Sequence, residues 1–212
     1  MKTLLKKIGI ILSIGLILGS LAIYFFAPYL VIQPMRQSPN IDPTAQYAPA
    51  VSKMVESSDG TQLSTVLFPA AESKGVVIFV HGIGGYKESF YTIAKGLANE
   101  GISCITFDLR AHGQSEGEFC TYGAMETKDV RSIVSLAQTE FPNQPIGIWG
   151  NSLGGAIAIQ SLEKIPELKF GIIESTFADL SDVVLEYQTR TLLGFRSELL
   201  RDFVLHRAGV IA

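Results

Sequence analysis

Residues 146–162 read Ile-Gly-Ile-Trp-Gly-Asn-Ser-Leu-Gly-Gly-Ala-Ile-Ala-Ile-Gln-Ser-Leu: a short apolar run, a serine between glycines, and a helix-like stretch. The Gly150-x-Ser152-x-Gly154 spacing belongs to a sharp strand-to-helix turn that lifts a hydroxyl out of the chain, with small residues two before and two after the serine where a side chain would clash. A helix that opens at Leu153 aims its free N–H groups and its positive dipole end at the place where an oxyanion would develop. Ser152 is therefore the candidate nucleophile, with Gly150 and Gly154 as the elbow around it.

The segments on either side set this turn in an alternating chain. Val51 to Glu56 and Leu63 to Phe68, separated by Ser-Ser-Asp-Gly, predict a hairpin. Gly75 to Val80, Ile102 to Phe107, Ile146 to Trp149 and Phe170 to Ile173 are continuous apolar runs of the buried-strand kind. Between them Ser89 to Asn99, Glu126 to Glu140 and Leu153 to Leu162 carry helical spacing, as in Val130, Ile133, Val134 and Ala137. Strand and helix alternating at this interval predict a parallel sheet covered on both faces, a doubly wound α/β domain.

The N-terminus is of another kind. After Lys2, Lys6 and Lys7, residues 8–27 run without a charge, about 30 Å of helix at about 1.5 Å per residue, enough to span a bilayer. The basic residues ahead of the run predict a cytoplasmic stub (residues 1–7) and an exported body, periplasmic or extracellular, on a cell-membrane anchor. A cleaved signal stays open as an alternative, since Ser20-Leu21-Ala22 is a passable cleavage site. Residues 28–50, with Pro34, Pro39 and Pro43, favour an extended tether, and residues 51–212 form the domain. Beyond Ala27 fourteen basic side chains face twenty acidic ones. An acidic body without a basic stripe is a poor nucleic-acid binder. Two cysteines, Cys104 and Cys120, are too few for a disulfide scaffold and lack zinc spacing. No metal or cofactor is called for.

Two further motifs occupy positions that acyl transfer requires. His81-Gly82-Ile83-Gly84-Gly85 follows the first buried strand, and its glycines let backbone N–H groups approach a substrate carbonyl. Asp108-Leu109-Arg110-Ala111-His112-Gly113-Gln114-Ser115 follows the next strand and reads as a loop rich in internal hydrogen bonds. With these three motifs in this order, residues 51–212 resemble the α/β-hydrolase superfamily, and the anchor ahead of them resembles its bacterial serine aminopeptidase-like or acylhydrolase-like members. The resemblance implies Ser152 as nucleophile, the N–H groups of Ile83 and Leu153 as oxyanion hole, and a structural Asp108–Ser115 loop with Ala111 where the family has glycine. It also implies a small acyl substrate bound by an ester, thioester or amide link.

A serine needs a base, usually a histidine oriented by a carboxylate, and the family order is Ser, acid, His. After Ser152 the chain offers His206, in the helix-like stretch from Leu180 onward that resembles the start of a lid region, residues 180–212. His81 and His112 read as loop hydrogen-bonders, Glu174 and Asp179 as caps of a turn and of the next helix, and Cys104 as a core residue. The expectation is a hydrolase domain without its seventh and eighth strands, a C-terminally truncated chain that is inactive and poorly soluble as it stands. A non-catalytic, membrane-anchored interaction protein on the same scaffold is the alternative.

Overall fold

The computed structural model describes residues 2–39, 41–47, 49–191 and 196–211. In chain order the elements are α1 (Lys2–Phe26), α2 (Tyr29–Ile32), α3 (Pro43–Gln46), β1 (Val51–Glu56), β2 (Gln62–Phe68) and β3 (Val76–Val80). A 3-10 turn at Lys87–Phe90 leads into α4 (Tyr91–Asn99), followed by β4 (Ser103–Phe107), α5 (Glu126–Glu140), β5 (Ile146–Asn151), α6 (Leu153–Lys164) and β6 (Leu168–Glu174). Then come α7 (Leu180–Thr191) and α8 (Glu198–Ile211). They fall into two compact units, residues 1–33 with 180–212, and residues 34–179.

The second unit holds one six-stranded sheet of order β1-β2-β4-β3-β5-β6. β1 and β2 pair antiparallel from Val51↔Leu67 to Glu56↔Gln62, and their turn uses Gly60 at φ 88. β2 is antiparallel to β4, whereas β4, β3, β5 and β6 run parallel. The apolar runs are unbroken because both faces of the central strands are covered. Val76, Ile78 and Val80 of β3 join a core with Val130, Ile133 and Val134 of α5 and Ile157 of α6. The alternate residues Val77 and Phe79 join the opposite core with Tyr91, Ala94 and Ala98 of α4. The chain leaves β3 toward β4 and returns past it to β5, so the progression reverses beside β3. The crevice at the carboxyl ends of β3 and β5 is where a doubly wound sheet binds ligands.

Among the described residues the sheet ends at β6, where Phe170, Ile172 and Ile173 are exposed. The segment expected to be a plain tether contains the single turns α2 and α3. Its Arg36 also ties into the second unit, donating to the carbonyls of His112, Gly113, Ser115 and Gly117.

In the first unit the described side chains of α1 are exposed, and the stretch Leu4–Ile32 is long and apolar enough to cross a membrane. The region from Leu180, expected as one helix-like stretch, is two helices, α7 and α8. They bury Val184, Leu185, Val204 and Ala208.

Candidate active site

Ser152 occupies the one-residue turn between β5 and α6 at φ 52, ψ −117. An L-residue pays about 1–3 kcal/mol for such a conformation, which persists only where its surroundings over-determine it. Its N–H donates to the Glu174 carbonyl at 2.9 Å. Its carbonyl accepts from the N–H of Gly155 and from the Thr176 hydroxyl, each at 2.9 Å. Both flanking glycines are obligatory: a Cβ on Gly150 would drive into the Gly154 carbonyl and lie 2.7 Å from the Gly155 Cα, and one on Gly154 would drive into the Val80 carbonyl.

The glycine loop after β3 lies directly against this turn. A Cβ on Gly82 would stand 3.1 Å from the Ser152 Cβ, tighter than ordinary contact, so glycine lets the loop backbone approach the serine without displacing it. Gly84 takes φ 66, and the Gly85 N–H closes a turn onto the Gly82 carbonyl at 3.0 Å. The fold thus brings together Ser152, the first residue of α6 (Leu153) and the loop bearing Ile83, at the carboxyl ends of β3 and β5. The first N–H groups of α6 have no intrahelical acceptor, and the helix dipole favours negative charge beside them.

Two devices hold the loop. At its start the buried His81 ring joins two segments: Nδ1 donates to the Gly82 carbonyl at 2.8 Å, and Nε2 accepts the Leu109 N–H at 3.1 Å. At its end the Asp108 carboxylate accepts the Lys87 N–H at 2.7 Å, the Lys87 ammonium at 2.8 Å and the Gln114 N–H at 2.8 Å. Arg110 makes a two-pronged pair with buried Asp129 and reaches Asp59. The Asp59 carboxyl is held down at about 2, chiefly by its bond from Arg110. Ala111 adopts φ 62, the left-handed conformation that glycine takes more cheaply.

Burial, reinforced by the neighbouring His112 ring, takes the His81 pKa down to about 4. The unfolded chain binds a proton near pH 6.5 that the folded imidazole refuses until about 4, so stability is complete above 6.5 and declines as pH falls toward 4. The loss is on the order of 3 kcal/mol. The thermal midpoint should therefore drop between pH 7 and pH 4.5, with a shallower slope in His81→Gln; equal slopes would place the loss in other groups.

His112 directs Nδ1 to the Arg110 carbonyl at 2.8 Å, and burial lowers its pKa too. His206 lies exposed on α8 of the first unit. Glu174 acts through its backbone at the serine turn, and its carboxylate accepts a 3.4 Å bond from the Trp149 indole. Cys104 and Cys120 are buried free thiols, both raised by burial, Cys104 to about 12. Sequence reasoning missed Thr176, Arg36 and Lys87, none of which sits in a motif. An open groove of about 840 Å³ lies at the opposite end of the sheet, lined by Pro69, Lys74, Asn99 and Gly101 among others, and shares no residue with the serine turn.

The family model for serine aminopeptidase, S33, matches residues 71–207. A 31.7 kDa protein of Escherichia coli, described as uncharacterised and encoded between traX and finO, is 32% identical over 108 residues, 49% of this chain and 38% of its own length. Human monoglyceride lipase is 30% identical over 100 residues, 46% of this chain and 33% of the lipase. The chain thus matches little more than a third of these relatives' length. Among solved structures, an esterase of Pyrococcus furiosus superposes with a TM-score of 0.67 at 25% identity, covering 84% of this chain and 68% of the esterase. A carboxyl esterase of Bacillus coagulans, at TM-score 0.57 and 18% identity over 68% of this chain and 50% of its own, shares the fold. With the family model matching well over half of the sequence, the serine turn in its expected strand–helix setting and the glycine loop against it, the chain belongs to the serine aminopeptidase S33 family of α/β-hydrolases.

Proposed function

We propose that this protein is an esterase- or lipase-like hydrolase that forms an acyl-enzyme on Ser152, with its hydrolase domain held at a membrane by residues 8–27. The observation that carries the reading is the strained Ser152 turn with the Gly82 backbone against its side chain. The Oγ attacks a carbonyl carbon, the carbonyl oxygen becomes the oxyanion facing the N–H groups of Ile83 and Leu153, and the alcohol leaves as the acyl–serine bond forms. An ester of a single fatty acyl chain is the favoured substrate, since a monoglyceride is what the human relative's name specifies; thioesters and amides follow the same chemistry. The basic residues ahead of the span support an orientation with the domain on the far side of a cell membrane.

The serine's proton must go to a base, and in residues 34–179 each histidine directs Nδ1 to a backbone carbonyl while His81 Nε2 is held by Leu109. Without a base from outside residues 34–179 acylation is slow, driven by the oxyanion donors alone, which sustain roughly 10³-fold over solution in enzymes stripped of their triad. A fluorophosphonate probe should label the purified chain over hours, at one site, and Ser152→Ala should remove the label. Labelling that survives the substitution sinks the assignment. A chain that takes no label at all favours the other reading, a membrane-anchored scaffold that binds without catalysis, which the engaged histidines also support.

A further inference from the structure

The unit formed by residues 1–33 and 180–212 carries apolar surface from the end of α1 onto α8. Tyr24, in the last turn of α1, has its ring 5.8 Å from that of Phe203, and the Arg207 guanidinium lies 4.6 Å over the same ring. α2 also packs on α8. α8 turns Val204 and Ala208 inward and leaves Leu199, His206 and Val210 exposed. Leu199, Phe203, His206 and Val210 are spaced four, three and four apart and so share one helix face. Leu199 and Leu30 of α2 are each 83% exposed, Phe26 70% and Val210 64%. These large apolar side chains lie on three elements of one unit.

We infer that α8 is an interfacial helix, with its Leu199–Phe203–Val210 face in the headgroup–acyl boundary of the bilayer that α1 crosses. This rests on the anchor proposed above. Counted from Ile8, directly after the basic stub, about 30 Å of helix reaches the far edge of the hydrocarbon layer at Ala27, so Tyr24–Phe26 lie at that edge, where aromatic rings are enriched. Phe203 and Arg207, in contact with Tyr24, are then held in the same layer. Continuity with the span decides the occupant: a lipid surface already lies beside Phe26 and Leu30 and covers Leu199 and Val210 without a second protein. Arg207 suits that depth, since its guanidinium packs on the face of the Tyr24 ring, a cation–π contact that gains where water is sparse. Asp202, 63% exposed and paired with Arg201 at 2.7 Å, keeps a charge in water beside that face.

The full chain is reconstituted in phosphatidylcholine–phosphatidylglycerol vesicles with one added thiol, Leu199→Cys, Glu198→Cys or Leu18→Cys, carrying an NBD fluorophore; Cys104 and Cys120 are buried and stay unlabelled. Lipids with a nitroxide at acyl carbon 5 should quench the label at 199 about threefold, and more than lipids with it at carbon 12, while the label at 198, off the apolar face, loses less than half as much. The label at 18, deep in the span, should show the reverse order of depth. A quenched 18 with an unquenched 199, or equal quenching at 198 and 199, overturns the interfacial helix and leaves the anchor standing. An unquenched 18 overturns the anchor, and the inference with it.

Discussion

Gly154→Ala is expected to lower the midpoint of thermal unfolding by about 10 °C and to abolish labelling of Ser152. One methyl group has this effect because of where it would go. A Cβ at 154 would overlap the Val80 carbonyl and lie 2.7 Å from the His81 carbonyl oxygen, and both are backbone atoms at the end of a central strand. Neither is the loose end of a side chain. The first turn of α6 must instead lift away from β3, opening the core at Leu153 and Ile157, which are 1% and 0% exposed. Overpacking typically costs about 1–3 kcal/mol, a clash with fixed backbone lies at the top of that range, and in a chain of this length each kcal/mol moves the midpoint by about 2–4 °C. Moving that turn also moves the serine, because the Ser152 carbonyl is bonded to the Gly155 N–H. Gly96→Ala is the control. Nothing lies within 4 Å of a Cβ at that exposed position of α4, so alanine there should gain about 0.5–1 kcal/mol from helix propensity. A loss at 96 as large as that at 154 would show that the destabilisation does not come from the close approach of β3 and α6.

The contrast between these glycines marks what a sequence discloses. Gly150 and Gly154 were legible because the turn they serve is local: strand, serine and helix follow one another in the chain, and the steric need recurs at fixed spacing. The parallel strands were legible for a related reason, since burial on both faces leaves runs such as Val76–Val80 wholly apolar. Gly82 was legible in part. Its place after a strand indicated a backbone donor loop, but that it faces the Ser152 side chain depends on β3 and β5 being neighbours, which no spacing encodes. Thr176 was not legible. Its hydroxyl reaches the Ser152 carbonyl across 24 residues of sequence, through the register of β5 on β6. Arg36 was not legible either: prolines on either side indicate an extended chain, and nothing local shows that its arginine reaches four carbonyls of a loop 76 to 81 residues on. His81 and His112 read correctly as hydrogen-bonding residues, because each borders a glycine-rich loop whose carbonyls need donors.

The second large effect is expected at Asp108, where loss of one carboxylate takes the shorter ion pair from a buried cation and unpairs two backbone N–H groups together. Asp108 is 0% exposed and Lys87 3%; the carboxylate receives the Lys87 ammonium and the N–H groups of Lys87 and Gln114. In Asp108→Ala the ammonium keeps Glu88, at 3.1 Å, but loses its shorter ion pair in a place that water does not reach. Breaking one side of a buried pair costs about 3–5 kcal/mol, much of it the desolvation of the charge left behind. At about 2–4 °C per kcal/mol the midpoint should fall by about 10 °C or more. The combined variant Asp108→Ala with Lys87→Met, with Glu88→Gln added because that buried carboxylate would otherwise lose Lys87 in turn, removes the stranded charges and should recover part of that loss, because a buried ion pair is worth little more than apolar groups of similar size. The two backbone N–H groups stay unpaired in both variants, at about 1–3 kcal/mol each, so recovery is incomplete. A combined variant no more stable than the single one would show that the carboxylate matters for those two N–H bonds and not for the ammonium. Either way the loop bearing Ile83 loses its anchor at residue 87 while His81 still holds the other end. Labelling of Ser152 should accordingly fall in both variants, including the one whose stability partly returns. That separation of stability from reactivity is what an oxyanion loop pinned at two ends requires.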